Sequence, residues 1–124
     1  MITAQLKSIY TIDMNKLESY KPEDPLCFRT VIRAMVGPRG SEGEESFDVV
    51  VCTPAWLEKE VEKDGFVVGR HYLVVRAYDP GFIEKLIRKF VERWSGESWS
   101  EVAEKVARIG DWEFEDYPGL KSST

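Results

Sequence analysis

The sequence predicts an α+β domain: a mostly antiparallel sheet of four to five strands with two to three helices packed on one face. Three observations carry that expectation. The first half alternates β-branched and aromatic runs with turn chemistry, as hairpin-linked strands do. Two dipeptides, Thr53-Pro54 and Asp79-Pro80, each place a capping side chain before a proline, the signature of a helix start. Finally, Phe82, Ile83, Leu86, Ile87, Phe90, Val91 and Trp94 recur at the helical period and form a stripe that needs an apolar surface to lie on.

Taken in order, Ala4 to Ile12 alternates loosely and reads as a first strand. SYKPEDP (Ser19 to Pro25) is a breaker segment. Leu26 to Val36 reads as a long second strand, and Phe47 to Cys52 as a third. The glycine-rich GPRGSEGEES between them suggests an antiparallel hairpin. Thr53 caps a helix that stops near Gly65, a residue able to take the left-handed cap conformation. Arg70 to Tyr78 reads as the fourth strand, followed by the striped helix. SWSE, Ser98 to Glu101, is a capping box. The helix it opens buries Trp99, Val102, Ala103 and Val106 and stops at Gly110. Last comes GDWEFEDY, a short strand or extended segment in which Trp112 and Phe114 share one face and Glu113, Glu115 and Tyr117 the other.

The chain has 124 residues, which fits one domain spanning 1–124. A composition 43% hydrophobic and 31% charged supports a buried core and argues against disorder. The formal net charge of -5 argues against nucleic acid as the main partner, because phosphate binding needs a basic stripe. It suits a basic macromolecular partner, which opposite charge attracts. No apolar run reaches the roughly 20 residues of a membrane span, and MITAQLKSIY has no cationic region followed by an apolar one. The expectation is a cytoplasmic protein whose two cysteines, Cys27 and Cys52, are reduced.

Few residue patterns point to catalysis. Cys52 stands just before a helix start, where a thiolate is favoured, and His71, the single histidine, could serve as its base. A packed sheet accounts for both better, because Cys52 shares parity with Val50, and His71 with Leu73 and Val75. One histidine and two unrelated cysteines give no metal-ligand spacing, so neither a metal nor a cofactor is expected. GPRGSEG lacks the Lys-Ser/Thr ending of a phosphate loop. Lys85, Arg88, Lys89 and Arg93 alternate with Glu84 and Glu92, the pattern of a solvated helix face with i,i+4 pairs.

Several segments together resemble the Immunity protein 8 family of bacterial polymorphic toxin systems. They are VCTPAWL (Val51 to Leu57), GRHYLVV (Gly69 to Val75), YDPGFIEKLI (Tyr78 to Ile87), SWSEVAEKV (Ser98 to Val106) and WEFEDY (Trp112 to Tyr117). They run in order from about Val36 to Tyr117. The resemblance implies a small cytoplasmic antidote, encoded beside a secreted toxin, that binds and blocks the toxin domain. It brings no catalytic residues. Its partner would be a cognate toxin domain, with a basic nuclease as one candidate. The rival readings are a non-catalytic interaction module or homodimer without a toxin, and a small hydrolase using Cys52 and His71. For a basic toxin, the expected contact surface is Glu113, Glu115, Asp116 and Tyr117, joined by the loop acids Glu42, Glu44 and Glu45. An edge strand also uses such charges simply to resist edge-to-edge aggregation.

Overall fold

Three long strands make the frame: β1 (Ile2–Thr11), β2 (Arg29–Pro38) and β3 (Glu45–Cys52), joined as an antiparallel meander. A computed structural model describes residues 1–115. After β3 come α1 (Pro54–Asp64), β4 (Tyr72–Val74), α2 (Pro80–Val91), β5 (Ser95–Gly96), α3 (Trp99–Val106) and β6 (Asp111–Trp112). The sheet order is β4-β3-β2-β1-β5, and β6 adds to β3 on the same edge as β4.

The sheet is mixed, which corrects the expectation of four to five mostly antiparallel strands. Strand β4 runs parallel to β3, pairing Val50 with Tyr72 and Cys52 with Val74. The reason is the helix between them: a crossover through α1 returns the chain to the end where β3 began. The fourth strand is also shorter than the expected Arg70 to Tyr78. It begins after His71, whose left-handed φ of 62° breaks the extended run. Strand β5 was not expected. It is two residues long, too short for any periodicity, and exists by pairing with Ile2 and Thr3.

The core lies on one face of the sheet. Ala4 and Leu6 of β1, Ile32, Ala34 and Val36 of β2, and Phe47, Val49 and Val51 of β3 are buried there. Strand β1 switches parity midway, from Ala4 and Leu6 to Ile9 and Thr11, because a register shift between Leu6 and Ser8 inserts Lys7 as an extra residue. That bulge explains why the sequence alternates only loosely here. Against this face α2 packs Ile83, Ile87 and Val91, and α3 packs Val102, Ala103 and Val106. The α2 stripe is narrower than expected: Phe82 is 50% exposed, and Leu86 and Phe90 are half-buried. Helix α1 buries none of its residues and so adds little to this layer.

The helix starts form as the sequence chemistry dictates. Asp79 accepts from the Phe82 N–H at 3.1 Å, and Ser98 from the Glu101 N–H at 3.2 Å. Glu101 returns a bond to the N–H of Glu97, one residue before the cap. At the other end of α1, Gly65 takes φ +87° and donates to the Val61 carbonyl at 2.7 Å. On α2, Glu92 accepts from the Leu6 N–H at 3.0 Å, and Arg88 donates to the Leu6 carbonyl at 3.3 Å. These helix charges therefore close the edge of β1 beyond the reach of β5. Below the sheet end, Tyr78 donates to the Leu17 carbonyl at 2.5 Å and meets the Tyr20 and Phe28 rings edge-on. Burial is the main cause that pushes its phenol up to about 12. Among the described residues, no helix is long and apolar enough to cross a membrane.

Thr53 is fully buried and does two jobs at once. Its hydroxyl accepts from the Trp56 N–H at 3.4 Å, capping α1, and from the buried Phe28 N–H at 3.2 Å. Replacing it with valine keeps the volume but leaves both donors without the acceptor. Thr53→Val is expected to lose about 2 kcal/mol of stability and Thr53→Ser much less, measured by urea denaturation.

Candidate protein-binding surface

The face of the sheet opposite the core carries side chains at the alternate positions, and its cross-strand rows follow from the register. One row runs Tyr10, Arg33, Asp48, Asp111 across β1, β2, β3 and β6. On one side of it lies Val31, Val50, Tyr72, and on the other Ser8, Met35, Ser46. The helices that close the core, α2 and α3, lie on the other face, and most of these side chains are half-buried, with the Ser8 hydroxyl fully buried. Helix α1 reaches the face through Trp56, whose ring meets Tyr72 at 6.5 Å and lies under the Arg29 guanidinium at 5.8 Å. The surface thus grades from aromatic and aliphatic near α1 to acidic near β6.

Its centre is an Arg33–Asp48 pair. Arg33 Nε and Nη2 donate to the two Asp48 oxygens at 2.8 and 3.0 Å, a planar two-point contact that holds both side chains upright. The hydrogen bond to Asp48 is the main influence holding the Arg33 proton. Burial opposes it, while the negative charges of Asp48 and Glu113 add to it. Tyrosine, arginine and methionine side by side are the residue types enriched where proteins meet.

The acids singled out in the sequence are not all assembled in one patch. Glu113 is exposed, and its carboxylate accepts from the Ser46 N–H at 2.6 Å, which fixes it at the acidic end of the face. Glu42 and Glu44 are exposed on the hairpin loop that leads into β3. Glu115 turns elsewhere and pairs with Arg70 on the α1–β4 connection. Asp116 and Tyr117 lie outside the described residues. The expected alternation also stops early: β6 ends at Trp112, and the Glu115 N–H bonds back to the Trp112 carbonyl at 3.0 Å as a turn.

Glu45 does something else again. It stands opposite Val36 with the inward parity of Phe47 and Val49. One oxygen accepts from two indoles, Trp99 Nε1 at 2.8 Å and Trp112 Nε1 at 3.0 Å. Trp112 in turn stacks on Phe47, with ring centres 6.2 Å apart and planes within 10°. Gly110 lets the chain make this approach, because a Cβ there would sit 2.8 Å from Phe47 Cβ.

The sequence reading missed Tyr10, Arg33, Asp48 and Asp111. Arg33 and Asp48 face each other in the β2–β3 register, which the hairpin reading of the sequence left unspecified. Cys52 and His71 do not come together as a dyad. His71 donates its Nε2 proton to the Ala107 carbonyl at 2.8 Å, and its partner position along β4 lies three residues before the Val74 that faces Cys52. Cys52 is fully buried, and burial pushes its thiol up, away from the reactive thiolate.

Two measurements check this account. Glu45→Ala should lose about 2–3 kcal/mol in a denaturation curve followed by circular dichroism, since two indole donors lose a charged acceptor. Adding Trp99→Phe in that background should then change little, because the bond it removes is already gone. In native protein Cys52 should resist a maleimide reagent and become reactive only on unfolding. Fast native labelling at Cys52 would revive the hydrolase reading.

Comparison with known proteins gives one match. The family model described as Immunity protein 8 covers residues 4–117, and neither a curated protein nor a solved structure matches the chain. The matched span includes most of β1, the whole β2–β3 hairpin, α1, α2, α3 and the Trp112 segment. With nearly its full length accounted for in this way, the chain belongs to the Immunity protein 8 family.

Proposed function

We propose that this chain is the antidote of a toxin–immunity pair, acting in the cytoplasm of the producing cell by tight one-to-one binding to a polymorphic toxin domain. Family membership over residues 4–117 supports this reading most directly. The docking surface is the outward sheet face, with Tyr10, Arg33 and Met35 as its centre and Asp48, Asp111, Glu113, Glu42 and Glu44 as an acidic border. A partner that presents a basic surface fits it, and nuclease toxins present such surfaces to their own substrates. Covering that surface with carboxylates blocks the substrate directly and speeds encounter. The antidote then works by occupation and needs no chemistry of its own.

Magnitudes set a demand on that surface. Neutralising a potent toxin takes a Kd of about 1 nM, roughly -12 kcal/mol. Interfaces of that class bury about 800 Å² on each partner. Four strands about 4.8 Å apart make a face roughly 15 Å wide, which is too small by itself. The hairpin loop at one end and Trp56 with Tyr72 at the other must therefore take part.

The deciding experiment is growth rescue. The C-terminal domain of the large protein encoded beside this gene is expressed alone and with this chain. Killing alone and survival together is the expected result, and killing in both cases overturns the pairing. Within a working pair, Glu42→Lys, Glu44→Lys and Glu113→Lys combined should slow association by about tenfold and flatten its salt dependence. Tyr10→Ala should mainly speed dissociation. Unchanged kinetics in both variants would move the interface off this face while leaving immunity intact.

A further inference from the structure

The connection from α1 to β4, GFVVG (Gly65 to Gly69), is short and almost wholly apolar. Phe66 is 66% exposed and Val68 72% exposed, with Val61 before them at 44% and Val74 after them at 47%. Two exposed apolar side chains in one short connection are a heavy exposure for a chain that is 31% charged. The backbone is unusual too. Among the described residues, the N–H and C=O groups of Phe66, Val67 and Val68 take no hydrogen-bond partner. The stretch is nevertheless held at both ends. Gly65 is locked as the left-handed cap of α1. His71 is pinned by its ring to Ala107, and its carbonyl accepts from the Val50 N–H at 2.9 Å.

Beside this stretch, behind Gly69 and Arg70, is a cavity of about 380 Å³. Val49, Leu73, Ile87, Phe90 and Ile109 give it an apolar floor. Arg70 and Arg108 also line it, and among the described residues no carboxylate does. Arg93 lies outside this lining, with its guanidinium over the Phe90 ring at 4.9 Å and the Trp94 ring at 5.2 Å. Arg70 is paired with Glu115, but among the described residues Arg93 and Arg108 have no carboxylate partner. In a chain of net charge -5, a lining with cations and no anion is a local reversal of sign.

We propose that Phe66–Val68 and this cavity form a second protein-binding site, which takes an extended acidic segment of a partner protein carrying a large apolar side chain. Each part of that segment has a matching feature. Its backbone pairs with the free groups of residues 66–68, as an added strand pairs with an open edge. Its apolar side chain fills the cavity over Ile87 and Phe90. Its carboxylates meet Arg93 and Arg108, where two-point contact to a guanidinium is available. A polyphosphate chain suits the site less well, because the exposed apolar Phe66 and Val68 border it and its floor is apolar. The site is chemically opposite to the acidic border on the outward face, so it serves a different segment from the basic surface proposed there. Immunity itself is decided by the rescue experiment and does not depend on this site.

The test uses the full chain as bait for a phage-displayed library of random peptides. The expected consensus combines Asp or Glu with Phe, Leu or Trp. A synthetic peptide of that consensus should shift the amide resonances of residues 66–73 and of Phe90 and Arg108 in a ¹⁵N spectrum. Arg93→Gln with Arg108→Gln should weaken it at least about tenfold, as should Phe66→Ser with Val68→Ser, whose side chains lie on the surface. Both variants are checked for a native spectrum first, and either one suffices if the other is misfolded. No enrichment, a basic or purely hydrophilic consensus, shifts confined to the outward sheet face, or equal binding by the variants would each overturn the proposal.

Discussion

A single carboxylate at the start of β3 joins three parts of the chain. Glu45 reaches Trp99 on α3 and Trp112 on β6, residues 54 and 67 positions away in sequence. Because it has the inward parity of Phe47, it lies where an acid would normally be penalised. Two indole donors remove that penalty and use it, since each indole would otherwise need an acceptor of its own. With Trp112 held, Phe47 is covered, Gly110 can close over it, and α3 is set at a fixed place on the sheet. The terminal docking segment is thus tied to the fold by polar bonds as well as by packing.

That tie also shapes the opposite face of the sheet. Two residues of β6 pair with β3, and their other side extends the outward face by one strand, placing Asp111 beside Asp48. Glu113 then bonds to the Ser46 N–H and lies within electrostatic reach of Arg33. An inward hydrogen-bond cluster therefore positions an outward acidic border. Sheet parity sorts β3: Glu45, Phe47, Val49 and Val51 point to the core side, and Ser46, Asp48 and Val50 to the opposite face.

The same edge of β3 carries β4, and here the charge pattern reverses. Arg70 binds Glu115 and so links the two neighbouring segments across the edge. On the inward side of that link lies the arginine-lined cavity, and on the outward side the carboxylate border. A small domain can in this way offer two surfaces of opposite sign without placing unpaired charge in its core.

Elements whose chemistry is local were legible in the sequence. Thr53-Pro54, Asp79-Pro80 and Ser98 start helices because a cap needs only the next three residues, and all three caps form. The β2–β3 hairpin and the stripes of α2 and α3 were readable for the same reason, as was the family resemblance. Tertiary structure decided what depends on distant partners. Strand β4 is parallel because a helix intervenes, β5 and β6 exist only through pairing, and Glu115 turns to an arginine 45 positions away. Glu45 shows the division most clearly. Alternation with Phe47, Val49 and Val51 already placed it inward, but its charge made a solvated loop the simpler expectation. Whether an inward-facing, half-buried carboxylate is tolerable depends on donors brought in from elsewhere in the chain, and only the folded arrangement supplies Trp99 and Trp112.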